Sequence, residues 1–275
     1  MLGFGLLFAL IGATVGFATD NYMVSMWIII GVIVYIIIQY YFSSKLAVLM
    51  MRAKPMDKEE NPRLYRLVEN LAITVGIPTP SIYIIDDSAP NAFAAGRNPE
   101  DSILGFTTGL LNTLDKQELE GVISHEMGHI KNYDVRFKTI VFAMVAAIAL
   151  LVDLSIRMVF FAGRDKNAVP LLLVAGVILL IVWPVSHLLA AAAGREREYL
   201  ADATGAEITR YPEGLASALS KISNYSGASL KTSTSTTMLF FESPERKRKQ
   251  NWFTRVTATH PPIEERIERL RSMAG

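Results

Sequence analysis

The chain has 275 residues, 51% of them hydrophobic and 19% charged, with no Cys and a formal net charge of +1. A soluble domain carries about 25% charged residues, so this composition is that of a membrane protein. Disulfides, thiolate metal sites and Cys nucleophiles are excluded, and so little net charge supplies no basic field for nucleic acid.

Residues 1–19 and 22–44 hold no charged side chain. Each block is long enough for a hydrocarbon core of about 30 Å, which takes roughly 20 helical residues. The first lacks a cationic leader and the second follows at once, so they read as an uncleaved helical hairpin turning at Asp20-Asn21 rather than a signal peptide. A third block, 137–161, is interrupted by Asp153 and Arg157, four apart and spaced for an ion pair on one helix face near the outer interface. The fourth, 167–194, has His187 as its one titratable group and a kink predicted at Pro184. Nine cations flank one side of these blocks: Lys45, Arg52, Lys54, Lys58, Lys131, Arg136, Lys138, Arg195 and Arg197. Arg164 and Lys166 alone flank the other. Cations favour the cytoplasmic side, which places both termini and residues 45–138 in the cytoplasm. The expected organisation is a transmembrane hairpin (1–44), the first part of a cytoplasmic domain (45–136), a second hairpin (137–194) and the rest of that domain (195–275).

Asn61-Pro62 reads as the N-cap and first residue of a helix to about Val75, closed by Gly76 and Pro78. Residues 81–85 and 102–106 are strand-like, and the turn-rich PNAFAAGRNPED between them has an apolar centre suited to an edge strand. Asp115 with Glu118 forms a capping box, opening a helix with Leu119, Val122, Ile123 and Ile130 on one stripe.

That helix carries the chemistry. His125 and His129 are four apart, so both imidazoles face one point above it, as two nitrogen ligands of zinc must. Glu126 lies beside them, where a carboxylate can take a proton from water at the metal. A catalytic zinc wants a third protein ligand. His187, His260 and several carboxylates are candidates, and GREREYLADATGAEI is the best source. Glu198 and Asp202 are again four apart, on a face with Gly205 and Ala206, residues small enough for close approach near Gly128. Glu196 points about 200° away from Glu198. Glu198 as ligand, with Asp202 holding a His ring, is the economical arrangement.

HEMGHIKNYD, REYLAD, THPP with EERIERL, and PNAFAAGRNP resemble the HtpX-type integral-membrane zinc metalloproteases, relatives of the CAAX prenyl proteases. The resemblance spans residues 90–134, 197–206 and 259–270. It implies a mainly α fold: four transmembrane helices with a cytoplasmic zincin-like α+β metalloprotease domain and a small sheet. It implies one Zn²⁺ per chain, held by His125, His129 and Glu198, with Glu126 as general base and Asp134 supporting a zinc-bound His. It also implies that Asn91, Ala92, Phe93 and Ala94 form an edge strand that pairs with the substrate backbone, a sequence-tolerant way to hold an extended peptide. The implied substrates are polypeptides, namely misfolded or damaged membrane proteins cleaved at the cell membrane. His260 is expected to be structural or a helper of the substrate oxyanion.

Two other readings share these residues: a membrane scaffold or transporter with a structural metal, and a prenyl-protein peptidase. A structural zinc is usually closed by four protein ligands, and three with an unused Glu126 favour catalysis. The Ser/Thr-rich 232–237, apolar 238–241 and basic 246–249 read as a loop, or as a loop touching lipid headgroups through Phe240 and Phe241. With His129 close before the third block and Glu198 just past the fourth, the zinc is expected just on the cytoplasmic side of the bilayer.

Overall fold

The computed structural model describes residues 2–162, 176–226 and 261–273. The chain divides into two compact units, Met1–Tyr41 with Ile140–Ala192, and Phe42–Thr139 with Ala193–Gly275.

The first unit opens on helices α1 (Leu2–Thr19) and α2 (Tyr22–Met50). They reverse at Asp20, whose φ of +49° a short polar side chain tolerates. Asn21 caps the second helix, its Oδ1 accepting from the Met23 N–H at 3.0 Å. The two helices touch at glycine: a Cβ on Gly12 would lie 2.8 Å from Ile29, and one on Gly16 would lie 2.8 Å from the Tyr22 ring. Among the described residues, one stretch, Ser25–Phe42, is long and apolar enough to cross a membrane. Its Ile33, Val34, Ile37 and Ile38 are each about half exposed.

Of the four spans expected, that test is therefore met by one. The third block lies within α6 (Asp134–Ala162), and Asp153 pairs with Arg157 there at 2.6 Å, both exposed. The fourth block falls partly on residues outside the described set. Its later part is helical, with a π-helical turn at Ile178–Val182 leading into α7 (Trp183–Thr209). Pro184, which offers no N–H to the preceding turn, stands just past that widening.

The second unit holds a four-stranded sheet: β1 (Lys54–Pro55), β2 (Ser81–Ile85), β3 (Ala92–Ala95) and β4 (Ile103–Thr107), in the order β1-β2-β4-β3. The β2–β4 pair is parallel and the other two are antiparallel. Strand alternation sorts the side chains. Ala92, Ala94, Leu104 and Phe106 join the core that contains Val122, Ile123 and Met127; Phe93, Ala95 and Ile103 face Ala47, Met51 and Ala53. Phe93 pairs in register with Gly105 and lays its ring across it, where a Cβ would fall 1.8 Å from a ring carbon. Helix α3 (Pro62–Val75) has the predicted ends: Asn61 Oδ1 accepts from Leu64 N–H at 3.1 Å, and Gly76 turns left-handed at φ +78°. A short α4 (Thr108–Thr113) leads from the sheet to α5 (Lys116–Lys131).

Helix α5 starts on the predicted capping box, with Glu118 N–H to Asp115 at 3.0 Å and Asp115 N–H to Glu118 at 2.9 Å. The Glu118 carboxylate, 3% exposed, also accepts from Ser217 Oγ at 2.6 Å and Lys221 Nζ at 2.7 Å, both on α8 (Pro212–Asn224). One residue thus closes the N-terminus of the site helix and ties it to a neighbour. Burial pushes the Glu118 pKa up, but Lys221, Ser217 and the Asp115 N–H outweigh it and the carboxyl titrates below its usual range. A lowered folded-state pKa contributes stability that is complete above the unfolded value, about 4.3, and is lost as pH falls through the folded one. The thermal midpoint of the chain is expected to drop more steeply from about pH 5 to pH 3 than that of Glu118→Gln. Parallel melting curves of the two proteins would remove Glu118 as the cause.

Candidate metal centre

The helical period delivers His125 and His129 to the same face of α5, their ring centroids 4.7 Å apart and their planes at 85°. Both are at most 1% exposed. Helix α7 supplies Glu198, also 1% exposed, with Oε1 3.2 Å from His129 Nε2 and Oε2 3.7 Å from His125 Nε2. Glu196 is exposed. α5 and α7 come close because their facing residues are small. A Cβ on Gly205 would sit 3.0 Å from the His125 amide nitrogen, and one on Gly128 would sit 3.3 Å from the Ala201 carbonyl oxygen.

The outer nitrogens of the two imidazoles are held by carboxylates. His125 Nδ1 is 2.9 Å from Asp202 Oδ1, and His129 Nδ1 is 3.1 Å from Asp134 Oδ2. Each Asp is held in turn by an Arg. Arg266, fully buried on α9 (Ile263–Ser272), grips Asp202 with two bonds, Nε to Oδ2 at 2.8 Å and Nη2 to Oδ1 at 2.7 Å. Its Nη1 lies 3.5 Å from Glu198 Oε2. Arg197 pairs with Asp134 and stacks over the Phe137 ring at 4.2 Å. The turn that brings Asp134 back onto His129 runs through Tyr133, which adopts φ +58°, a left-handed conformation uncommon for a bulky residue. Lys138, one turn into α6, places its Nζ 2.9 Å from Glu198 Oε1 and 3.0 Å from His129 Nε2.

These surroundings set protonation. Burial pushes the His125 pKa down, the neighbouring His129 and Arg266 add to this, and the opposing pull of Asp202 is outweighed, so the ring is neutral and able to ligate. For His129, burial and Lys138 push down, but Glu198 and Asp134 prevail and the pKa is raised. Burial lifts the Asp202 carboxyl, yet the Arg266 guanidinium holds it below the usual range. Glu126 is 2% exposed, one position past His125 on α5.

One ligand atom each from His125, His129 and Glu198 lies within 4.8 Å of the other two, all buried. Two imidazole nitrogens and a carboxylate oxygen form the donor set of a catalytic zinc, and an ammonium already lies beside two of them where a cation would bind; the residues present fit the metal. Asn91, Ala92, Phe93 and Ala94 are each at most 3% exposed; the last three lie on β3, the strand that ends the sheet order, and Asn91 immediately precedes it. Asn91 is tied to Thr107, its N–H donating to Oγ1 at 2.8 Å. His260 and residues 232–249 lie outside the described residues.

Three side chains of the centre were not singled out by sequence. Lys138 and Arg197 counted only as flanking cations. Arg266 left a signal: Ile263, Arg266, Ile267 and Leu270 form the i, i+3, i+4, i+7 stripe of an amphipathic helix, with an Arg where an apolar residue belongs.

A buried two-histidine, one-carboxylate centre on paired helices, beside a small mixed sheet, is the arrangement of a metallopeptidase. The model of peptidase family M48 matches residues 58–274. A protease HtpX homolog of Tropheryma whipplei is 45% identical over 243 residues, 88% of this chain and 82% of that protein. One from Listeria monocytogenes is 40% identical over 99% of this chain and 95% of its own length. The crystal structure of S. mikatae Ste24p shares the fold, with a TM-score of 0.58 at 17% identity, covering 97% of this chain and 62% of that one. The chain belongs to peptidase family M48 and is a metalloprotease.

Proposed function

We propose that this chain is a zinc-dependent endopeptidase of the membrane, cutting peptide bonds of misfolded or damaged membrane proteins at the cytoplasmic face. The observation that carries the reading is the convergence of His125, His129 and Glu198 within 4.8 Å, each His locked from behind by a carboxylate. In this reading these three hold the ion. When bound, zinc would supply Lewis-acid activation of a water and of the scissile carbonyl. Glu126 takes the proton from the attacking water and returns it to the leaving amine. Asp202 and Asp134 fix the ring orientation and tautomer through Nδ1, so that Nε2 of each ring is the nitrogen that would ligate the ion. The substrate lies extended along β3, held by main-chain hydrogen bonds, a mode supported by the terminal place of that strand in the sheet order.

Four spanning helices and cytoplasmic termini belong to the same proposal. Two of the nine cations used for orientation, Lys138 and Arg197, also serve the centre. The remaining seven still outnumber the two on the opposite side. The reading is tested by metal content and cleavage of an unfolded membrane protein. One zinc per chain is expected, with cleavage lost to a chelator and restored by zinc; stoichiometric zinc without cleavage would point to a scaffold. A reporter fused at Asn61 is expected inside the cell.

A further inference from the structure

Lys138 has no part in that mechanism, yet its ammonium is 2.9 Å from Glu198 Oε1 and 3.0 Å from His129 Nε2, two of the atoms proposed to hold the metal. The other cations here are committed elsewhere: Arg197 to Asp134, and Arg266 to Asp202, with only a longer 3.5 Å approach to the other oxygen of Glu198. Glu198 is 1% exposed, and a carboxylate so buried is stable only beside a cation. Lys138 is therefore well placed as its counter-ion. A divalent ion on the same oxygen and nitrogen would meet the ammonium at contact distance, and two cations cannot share that space. The Lys138 side chain is 14% exposed and its stem is flexible, which leaves the ammonium a way out.

Resting on the metal reading above, we infer that Lys138 is an internal placeholder for the metal. It holds Glu198 and His129 assembled before the ion enters, and it must withdraw for the ion to bind. The centre then trades metal affinity for a ligand set that is ordered in advance.

The test uses the full chain in detergent micelles, stripped by a chelator and titrated with zinc against a chromophoric competitor. Wild type is expected to bind one zinc, and Lys138→Met to bind it about tenfold more tightly. The stripped Lys138→Met protein should melt below stripped wild type, while the zinc-loaded forms melt together. Lys138→Arg, which keeps the charge, should not tighten binding. Unchanged or weaker zinc affinity in Lys138→Met overturns the placeholder and leaves the metal reading standing; wild type that binds no zinc overturns both. If stripped Lys138→Met fails to fold, recovery on refolding with zinc supports the inference, and failure with zinc present overturns it.

Discussion

Glu126→Gln is expected to keep its zinc and lose proteolysis by about 10²–10⁴-fold, the usual contribution of a positioned proton acceptor. The substitution preserves size and polarity at a site 2% exposed, so the packing of α5 has little reason to change. On the proposed mechanism it removes the group that would accept a proton from water as the carbonyl is attacked. Metal analysis and cleavage assays on the same preparation separate this effect from misfolding. Full metal with undiminished cleavage would assign the proton to another acceptor. Loss of zinc together with activity would instead give Glu126 a part in building the centre.

The second large effect is expected at a fully buried residue that acts through Asp202. Arg266→Ala would leave Asp202, 3% exposed, without the guanidinium that holds both of its oxygens. Breaking a buried ion pair from one side costs about 3–5 kcal/mol, a large part of the 5–15 kcal/mol that keeps a typical domain folded. Arg266→Lys should recover only part of this, because an ammonium cannot reproduce the two-pronged geometry. Pairing Arg266→Ala with Asp202→Asn should return stability by removing the stranded charge, though the charge-assisted support of His125 is then weakened to a neutral hydrogen bond. Denaturant unfolding reads the first quantity and zinc retention the second. If Arg266→Ala unfolded like wild type, the Asp202–Arg266 pair would contribute nothing to the fold.

Local rules carried the sequence reading a long way in this unit. Helical spacing converts directly into direction, so His125 with His129, and Glu198 with Asp202, could be placed on shared faces from their numbers alone. The caps at Asn61 and Asp115 involve residues three apart, and they too lay within reach. The limits appear where partners are distant. Arg266 meets Asp202 across 64 positions and Lys138 meets Glu198 across 60, and no periodicity relates such pairs. The sheet order is a further case: β2 and β4 pair in parallel while the intervening β3 is placed outside them. β1 gave no strand signal because half of it is Pro55, a residue strands accept only at an edge. β4 begins at Ile103 rather than at Ser102, whose hydroxyl donates to the Pro99 carbonyl at 2.8 Å and belongs to the turn before it. The surplus of charge near the apolar blocks carried two meanings at once, orientation and site construction, and composition cannot divide them.

The distance along the chain between Asp202 and Arg266 also bears on the order in which the protein is made. A ribosome delivers both histidines, then Glu198 and Asp202, well before the helix that bears the guanidinium. Until that helix emerges and docks, the carboxylate behind His125 has no partner strong enough to hold it in a dry interior. The clamp behind the His125 ring is thus the last part of the centre to be completed, because its guanidinium arrives on the final described helix.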